Sequence, residues 1–554
     1  MTPARSSGRW RRTSAPPSKA RQRTQTMQTQ MVMMRDGVRL ATDIHMPDGA
    51  GPWPVILERT PYDRQGISGS EVALDRPEAL TRVELGRIMA RRGYVVVMQD
   101  VRGRYGSEGV FEKYVNEAED GVDTHHWLLK QPWCDGRICT MGLSYGAHTQ
   151  LASAVAGAPG IAAMAIDTGG LMDAWRHSVR YGGAFEQKQV TWAFRHAAKA
   201  LREQGRAEDA AALEATDIRE ALLRGDWRAG HSPLALAPAY EAALLRLWAM
   251  GPDDPALNLP ATRAAAHLGR FPDVPVLLLG SWNDPYARNM LDLSQAIREL
   301  NTAPLRQIFG PWLHGRRSSG QAGEADFGHD STIDRATGRD WVTLRLDWFD
   351  CAMGRAEAPL EHDLFFEMSA GRWPAMGGAW RPRRHRASAG PVPALQVSGV
   401  TLTFDPSNPH PTPGGAVTSG GALMAGGMFD QRRMGTLDHP GSAIVIGEPL
   451  ATELVLTDVT VSATCEAQEA FDLHAVLVEE LPCGAFINIT DGIMRAFSSG
   501  KVTVDLAPTY YKAGHGHRLC LILAASSFPR FDFATGRQHD IQLRDAAVSF
   551  SIIR

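Results

Sequence analysis

Short continuous apolar runs at residues 54–57, 94–98, 161–166, 275–280 and 305–309 have the length and branched content of buried parallel strands. Between them, segments at 84–92, 117–130 and 147–156 carry apolar residues at helical spacing. Strand and helix in alternation predict a parallel sheet covered by helices on both faces. An amphipathic pair over 32–46, with Asp36-Gly37 as its two-residue turn, predicts an entry hairpin. From about 185 to 265 the chain is rich in Ala, Leu, Arg and Glu at helical spacing, clearest at 207–223 and 238–250, and reads as a helical cap inserted over the sheet. Beyond Trp348-Phe349-Asp350 the helical pattern stops. Short strand-like runs at 364–368, 454–461, 471–478 and 519–523, parted by Gly- and Pro-rich stretches such as 405–427, predict an all-β sandwich or jelly roll without internal repeats. The expected organisation is a tail over 1–29, an α/β catalytic domain over 30–166 and 268–354, a cap over 167–267, and a β domain over 355–554.

Composition narrows the classes of function. A chain of 554 residues exceeds what one core sustains. With 58 basic and 61 acidic residues, its formal charge of −3 offers no pull toward nucleic acid or anionic membrane. The six cysteines form no C-x-x-C pair, so neither a zinc site nor a disulfide framework is expected. No run approaches the roughly 18 apolar residues of a membrane span. The Arg-, Ser- and Gln-rich first 29 residues lack the apolar core of a secretion signal and read as disordered; a transit segment, or a true start near Met27, are the alternatives. A cytoplasmic protein is expected, and homo-oligomerisation is left open.

The chemistry sits at the ends of the predicted strands. Gly142-Leu143-Ser144-Tyr145-Gly146 follows a strand-like run at 136–141 and opens a helix, the strand-turn-helix context in which G-x-S-x-G presents a serine nucleophile. Asp284 follows the strand at 275–280, and His314 follows that at 305–309. Each alone is also an ordinary turn residue. Together, in the order Ser144, Asp284, His314, they match the order of an α/β-hydrolase triad. His314 would take the Ser144 proton and return it to the leaving group, and Asp284 would fix the imidazole tautomer. This chemistry needs no cofactor and no metal. The loop Asp100 to Gly109 lacks both phosphate-binding patterns, G-x-x-x-x-G-K-[ST] and G-x-G-x-x-G, and reads as an ion-paired brace for the elbow. Adjacent His125 and His126 point to different faces and cannot chelate together.

Beyond the triad, Thr60-Pro61-Tyr62, Asp100-Val101-Arg102-Gly103-Arg104, Tyr181-Gly182-Gly183-Ala184-Phe185, Gly310-Pro311-Trp312-Leu313-His314, and Asp405-Pro406 with Pro411-Thr412-Pro413-Gly414-Gly415 give a further pattern. It resembles the serine hydrolases comprising X-prolyl dipeptidyl-peptidases, cocaine esterase and the α-amino-acid ester hydrolases, over nearly the whole chain after residue 30. The resemblance implies an α/β-hydrolase fold with an inserted helical cap and a C-terminal jelly roll. It also implies an oxyanion hole made by the Tyr62 hydroxyl and the Tyr145 backbone N–H. In the amino-acid ester hydrolases, acidic residues shortly after the catalytic aspartate bind the substrate's ammonium; here Pro285-Tyr286-Ala287-Arg288 follow Asp284. The expected substrate is therefore a small-molecule ester with a neutral, aromatic or short acyl group, with Tyr286 and Trp175 lining its pocket. An α-amino-acid ester hydrolase or an X-prolyl dipeptidyl-peptidase is the alternative, and Asp173 or Glu186 is the carboxylate that would serve it. A non-enzymatic carbohydrate binder is disfavoured because all three triad positions are filled.

Overall fold

A computed structural model describes residues 27–553 apart from 226, 383–394, 398 and 419–422. The expected tail, up to residue 26, lies outside the described residues. The first strand starts at Met27, earlier than the hydrophobic pattern suggests. Strand β1 (Met27–Met33) pairs antiparallel with β2 (Arg39–His45), yet only Val32 of β1 is buried. An exposed edge strand is held by backbone hydrogen bonds and leaves little apolar signal. Its turn also differs: Met34 and Val38 close the hairpin through Met34 N–H to Val38 C=O at 2.8 Å, so the loop is Arg35-Asp36-Gly37, with Gly37 at φ +87°. Three-residue loops place a left-handed residue at that last position, which suits glycine.

The central layer then alternates as the sequence predicts: β3 (Trp53–Thr60), α1 (Arg82–Ala90), β4 (Val95–Asp100), α2 (Glu117–Leu129), β5 (Cys134–Leu143), α3 (Tyr145–Val155) and β6 (Ile161–Asp167). Next come α4 (Ala174–His177), the two-residue strands β7 (Arg180–Tyr181) and β8 (Ala184–Phe185), and the helices α5 (Lys188–Glu203), α6 (Ala207–Glu214), α7 (Ile218–Arg224) and α8 (Pro238–Ala249). The periodic stretch 207–223 is two helices, because Asp217 accepts the Glu220 N–H at 3.0 Å and caps a fresh start. The sheet resumes with β9 (Val276–Asn283), α9 (Ala287–Leu300) and β10 (Leu305–Leu313). Strand order is β1-β2-β4-β3-β5-β6-β9-β10, and every pairing from β4 onward is parallel. Buried Val, Ile, Leu and Met side chains from β3 to β10 fill the spaces between sheet and helices on both faces.

The sheet does not stop where the helices do. After the short strands β11 (Gln321–Ala322) and β12 (Ala325–Asp326), strand β13 (Leu364–Ser369) pairs in parallel with β10 through Ile308 and Phe309. Its far end pairs in parallel with Tyr511–Ala513, and that strand pairs with Leu454–Glu466. The parallel sheet and the C-terminal β domain are thus hydrogen-bonded into one mixed sheet. A separate four-stranded antiparallel sheet, in the order Ser442–Pro449, Arg518–Ala524, Phe471–Glu480 and Phe486–Ala496, forms a second layer of the β domain.

Candidate active site

Ser144 occupies the turn between β5 and α3 at φ 57°, ψ −115°. This backbone conformation costs a side-chain-bearing residue about 1–3 kcal/mol and persists only where its surroundings impose it. Three contacts do so here. The Ser144 N–H donates to Asp167 C=O at 3.0 Å, fastening the turn to the end of β6. A Cβ on Gly142, itself at φ +157°, would lie 2.6 Å from the Gly146 carbonyl, and one on Gly169 would lie 2.4 Å from the Ser144 carbonyl oxygen. The elbow is therefore closed on both sides by backbone that only glycine allows so near. Tyr145 opens α3, so its N–H belongs to the helix's first turn, whose donors lack intrahelical partners and face the positive end of the helix dipole.

Asp284 and His314 come from the ends of β9 and β10. Asn283 Nδ2 donates to Pro311 C=O at 2.6 Å, and the Ser281 hydroxyl donates to Trp312 C=O, which ties the two strand ends together. A register shift between Gly310 and Leu313 bends β10 just before the histidine, as bulges do beside active sites. The result is a 2.5 Å hydrogen bond between His314 Nδ1 and Asp284 Oδ2. Asp284 is fully buried, and its other oxygen accepts the Tyr286 N–H at 2.8 Å. Burial pulls the His314 pKa down, but the charge and hydrogen bond of Asp284 prevail, and the pKa is raised above the ordinary imidazole value. Gly315, next to His314, lies where a Cβ would sit 3.1 Å from the Leu143 side chain, so the histidine loop rests on the residue preceding Ser144. Among the described residues no hydrogen bond joins the Ser144 hydroxyl to His314. Such bonds are often long before substrate binds.

Beneath this loop is a buried ion-pair network. Arg317 pairs with Asp167 at 2.8 Å and with Glu71 at 3.4 Å, and Glu71 pairs with Arg345 at 2.6 Å. The histidine loop is thereby linked to the same residue whose carbonyl holds the Ser144 N–H.

A small cavity adjoins the elbow, lined by Tyr62, Lys113, Tyr114, Ser144, Tyr145, His148, Lys188, Gln189, Trp192 and Tyr286 among others. Its free space is about 20 Å³, room for a water-sized group. Tyr62, on the loop after β3, and Tyr286 both reach this cavity. The Tyr286 ring is 5.8 Å from that of His314. The Tyr145 phenol donates to Glu117 at 2.5 Å. Trp175 is not among the lining residues: it packs against the hydrophobic core with the Arg180 guanidinium 5.0 Å over its ring. Asp173 caps α4 and neighbours Arg263 at 3.6 Å. Glu186 is fully buried and paired with Lys188 and, at 3.5 Å, with Arg530.

The loop at 100–109 is ion-paired as expected, but it braces other elements than the elbow. Arg102 pairs with Asp120 of α2 and Asp36 of the hairpin, both at 2.6 Å, and Glu108 with Arg39. Arg104 Nε donates to Pro61 C=O at 3.2 Å, so the loop supports Tyr62 rather than Ser144.

Lys113, Lys188, His148, Gln189 and Trp192 were not singled out by the sequence. They lie on a loop and on helices far apart in the chain, in no local pattern, and only folding brings them together. His148 is fully enclosed; burial, with the charges of Lys113 and Lys188, holds its imidazole well below the usual range, and its Nδ1 accepts the Gly170 N–H at 2.8 Å. It is a structural acceptor rather than a second base. A larger cavity of about 810 Å³ beside α9 and β10 contains none of Ser144, Asp284 or His314 in its lining. Among the described residues no cluster of His, Cys, Asp and Glu could hold a metal ion, and no helix is long and apolar enough to cross a membrane.

Comparison with known proteins agrees with this architecture. The profile of the X-Pro dipeptidyl-peptidase (S15) family matches residues 36–316, from the entry hairpin to just beyond His314. Cocaine esterase of Rhodococcus sp. (strain MB1 Bresler) is 28% identical over 550 residues, covering 91% of each chain. Among solved structures, an aminopeptidase from a marine-sediment Thaumarchaeota archaeon superposes with a TM-score of 0.73 at 20% identity, covering 98% of this chain and 99% of that one. An α-amino acid ester hydrolase does so with a TM-score of 0.65 at 18% identity, over 95% and 96% of the two chains. A CocE/NonD family hydrolase from Staphylococcus aureus gives 0.59 at 15% identity, over 95% and 94%. The fold is thus of the α/β-hydrolase type with a C-terminal β domain, and the chain belongs to the X-Pro dipeptidyl-peptidase (S15) family as a serine hydrolase acting on esters or peptides.

Proposed function

We propose that this enzyme hydrolyses carboxylic esters through an acyl-enzyme on Ser144, with neutral acyl groups preferred over α-amino acyl groups. The observation that carries the reading is the 2.5 Å bond from His314 to the buried Asp284, set beside a serine held in a left-handed turn. With Nδ1 bound to the carboxylate, His314 Nε2 is free to take the Ser144 proton as Oγ bonds to the acyl carbon. The oxyanion that forms accepts from the Tyr145 N–H and the Tyr62 hydroxyl. The same proton passes to the departing alkoxide as its bond to the acyl carbon breaks. Water, deprotonated by His314, then attacks the acyl-enzyme and regenerates Ser144.

The preference for neutral acyl groups rests on charge. Among the described residues, the ionisable groups lining the cavity beside Ser144 include two lysines, Lys113 and Lys188, and no carboxylate. The nearby carboxylate expected to serve a substrate amine, Glu186, is already paired with Lys188 and Arg530. An ammonium entering this space would pay for desolvation without gaining a counter-ion. In the same reading the two β layers beyond β13 form a jelly roll.

A fluorophosphonate should label Ser144 and leave Ser144→Ala unlabelled. A benzoyl or short-chain acyl ester should be cleaved with higher kcat/KM than its α-amino counterpart, and an X-Pro anilide should be the poorest substrate. A wild-type preference for free-amine substrates would replace this reading with the peptidase or amino-acid ester hydrolase alternative.

A further inference from the structure

Lys113 is a buried amine with no carboxylate paired to it among the described residues. It follows Glu112 in the stretch before α2, far from the helices it meets, and only 6% of its surface is exposed. Its Nζ donates to the neutral Gln189 side-chain oxygen at 2.7 Å and lies 3.9 Å over the Trp192 ring and 5.2 Å from that of Tyr114. Among the described residues no carboxylate pairs with it. Lys188 differs: it has Glu186 as counter-ion and donates to the Tyr181 hydroxyl at 3.1 Å. An ammonium has three donors, and Gln189 uses one. Aromatic faces stabilise the charge but offer no lone pair in its place. Burial, with the charge of Lys188, drives the Lys113 pKa well down. Lys113 and Ser144 line the same cavity.

Resting on the ester-hydrolase reading above, we propose that Lys113 is a specificity-determining residue that donates to an oxygen acceptor at the far end of the substrate's acyl group, so that the preferred esters have acyl chains bearing a ketone or carboxylate oxygen. Such an oxygen fills the vacant donor direction, whereas a plain alkyl chain of equal length leaves it buried and unmet. Sites built to hydrogen-bond a substrate discriminate against analogues lacking the partner because the protein group is then left unpaired.

Three ethyl esters with five-carbon acyl chains test this: ethyl pentanoate, ethyl levulinate with a neutral ketone, and monoethyl glutarate with a carboxylate. At least one of the oxygenated esters should exceed pentanoate in kcat/KM by about 10- to 100-fold, the range for a hydrogen bond to a charged group; which one identifies the acceptor as carbonyl or anion. Lys113→Met should bring that ratio close to one. Gln189→Glu, which retains the lysine but gives it an internal carboxylate, should also reduce the ratio and keeps the test available where the methionine variant folds poorly. Equal kcat/KM for the three esters, or a preference that survives in both variants, overturns the role of Lys113 while leaving Ser144-dependent hydrolysis intact. No Ser144-dependent hydrolysis of any of the three overturns the ester-hydrolase reading and this inference together.

Discussion

The two walls of the active site are built on different principles. On one side Ser144, Asp284 and His314 stand at the ends of β5, β9 and β10, where hydrogen bonds between strand ends leave them little freedom. On the other, Lys113, Lys188, Gln189 and Trp192 come from a loop and α5, and their positions depend on contacts with each other and with the β domain. A chain of buried ions shows the second dependence: Lys188 meets Glu186, Glu186 meets Arg530, and Arg530 meets Asp491 at 2.7 Å, the last two from the β domain. Glu186 also bridges by backbone to Phe531, and the Phe185 N–H donates to Asp532 at 2.8 Å. In the proposed mechanism, reaction chemistry sits on the first wall, and substrate choice sits on the wall that three segments assemble.

If that division is right, mutations on the two walls should differ in kind. The largest effect is expected from Ser144→Ala and His314→Ala, each lowering kcat by about 10⁴–10⁶ while circular dichroism and Tm stay near wild type, with the double variant little worse than either single. Multiplicative losses would show that the two residues do not act as a unit. The same wall sets the pH profile: His314 must be neutral to accept a proton, and its pKa is raised, so kcat/KM should fall on the acid side with a midpoint above the ordinary histidine value of about 6.5. A profile flat across that range would remove His314 as the base.

Tyr62→Phe comes next, with a loss of about 10²–10³ in kcat and little change in KM, as for removal of one oxyanion donor. Near-normal kcat would make Tyr62 a packing residue and place the second donor elsewhere. On the assembled wall, Lys188→Met leaves Glu186 with Arg530 alone and should narrow the preference for neutral over α-amino acyl esters by about tenfold, roughly one interaction's worth. An unchanged ratio would separate Glu186 from substrate choice.

The smallest effect concerns stability. Burial lifts the Glu117 carboxyl from 4.5 to about 7, against the opposing pull of Arg59 and the Tyr145 hydrogen bond. The folded protein then holds a proton that the unfolded chain has released, so stability contributed by this group is present below pH 4.5 and declines as pH rises toward 7. Glu117→Gln should flatten that part of a Tm-against-pH curve; an unaltered slope would assign it to another group.

These contrasts follow what could be read in the sequence. The parallel strands were legible because burial on both faces makes them continuous apolar runs, and the candidate nucleophile, acid and base were legible because each directly follows such a run. Edge strand β1 was foreseen only from Val32 onward, since backbone pairing needs no apolar residue. The helix break at Asp217 was written in the residue that caps it, but periodicity alone runs across it. The pocket wall left no trace: Lys113 and Gln189 are 76 positions apart, and nothing local distinguishes a lysine that ends in a cavity from one that ends in water. Trp175, an aromatic residue of suitable type and region, has the Arg180 guanidinium over its ring.

Strand β13 makes the two halves of this enzyme poor candidates for modular exchange. It holds β10 through Ile308 and Phe309 at one end and the strand Tyr511–Ala513 through Met368 and Ser369 at the other. A protein cut after the helix Trp341–Ala352 would expose β10 as an unsatisfied edge, inviting association with other chains. A chimaera joined there to a relative's C-terminal half would have to reproduce both parallel registers at once. Recombination points for engineering new substrate ranges are better sought within 188–249, whose helices enter and leave the fold without taking part in any sheet.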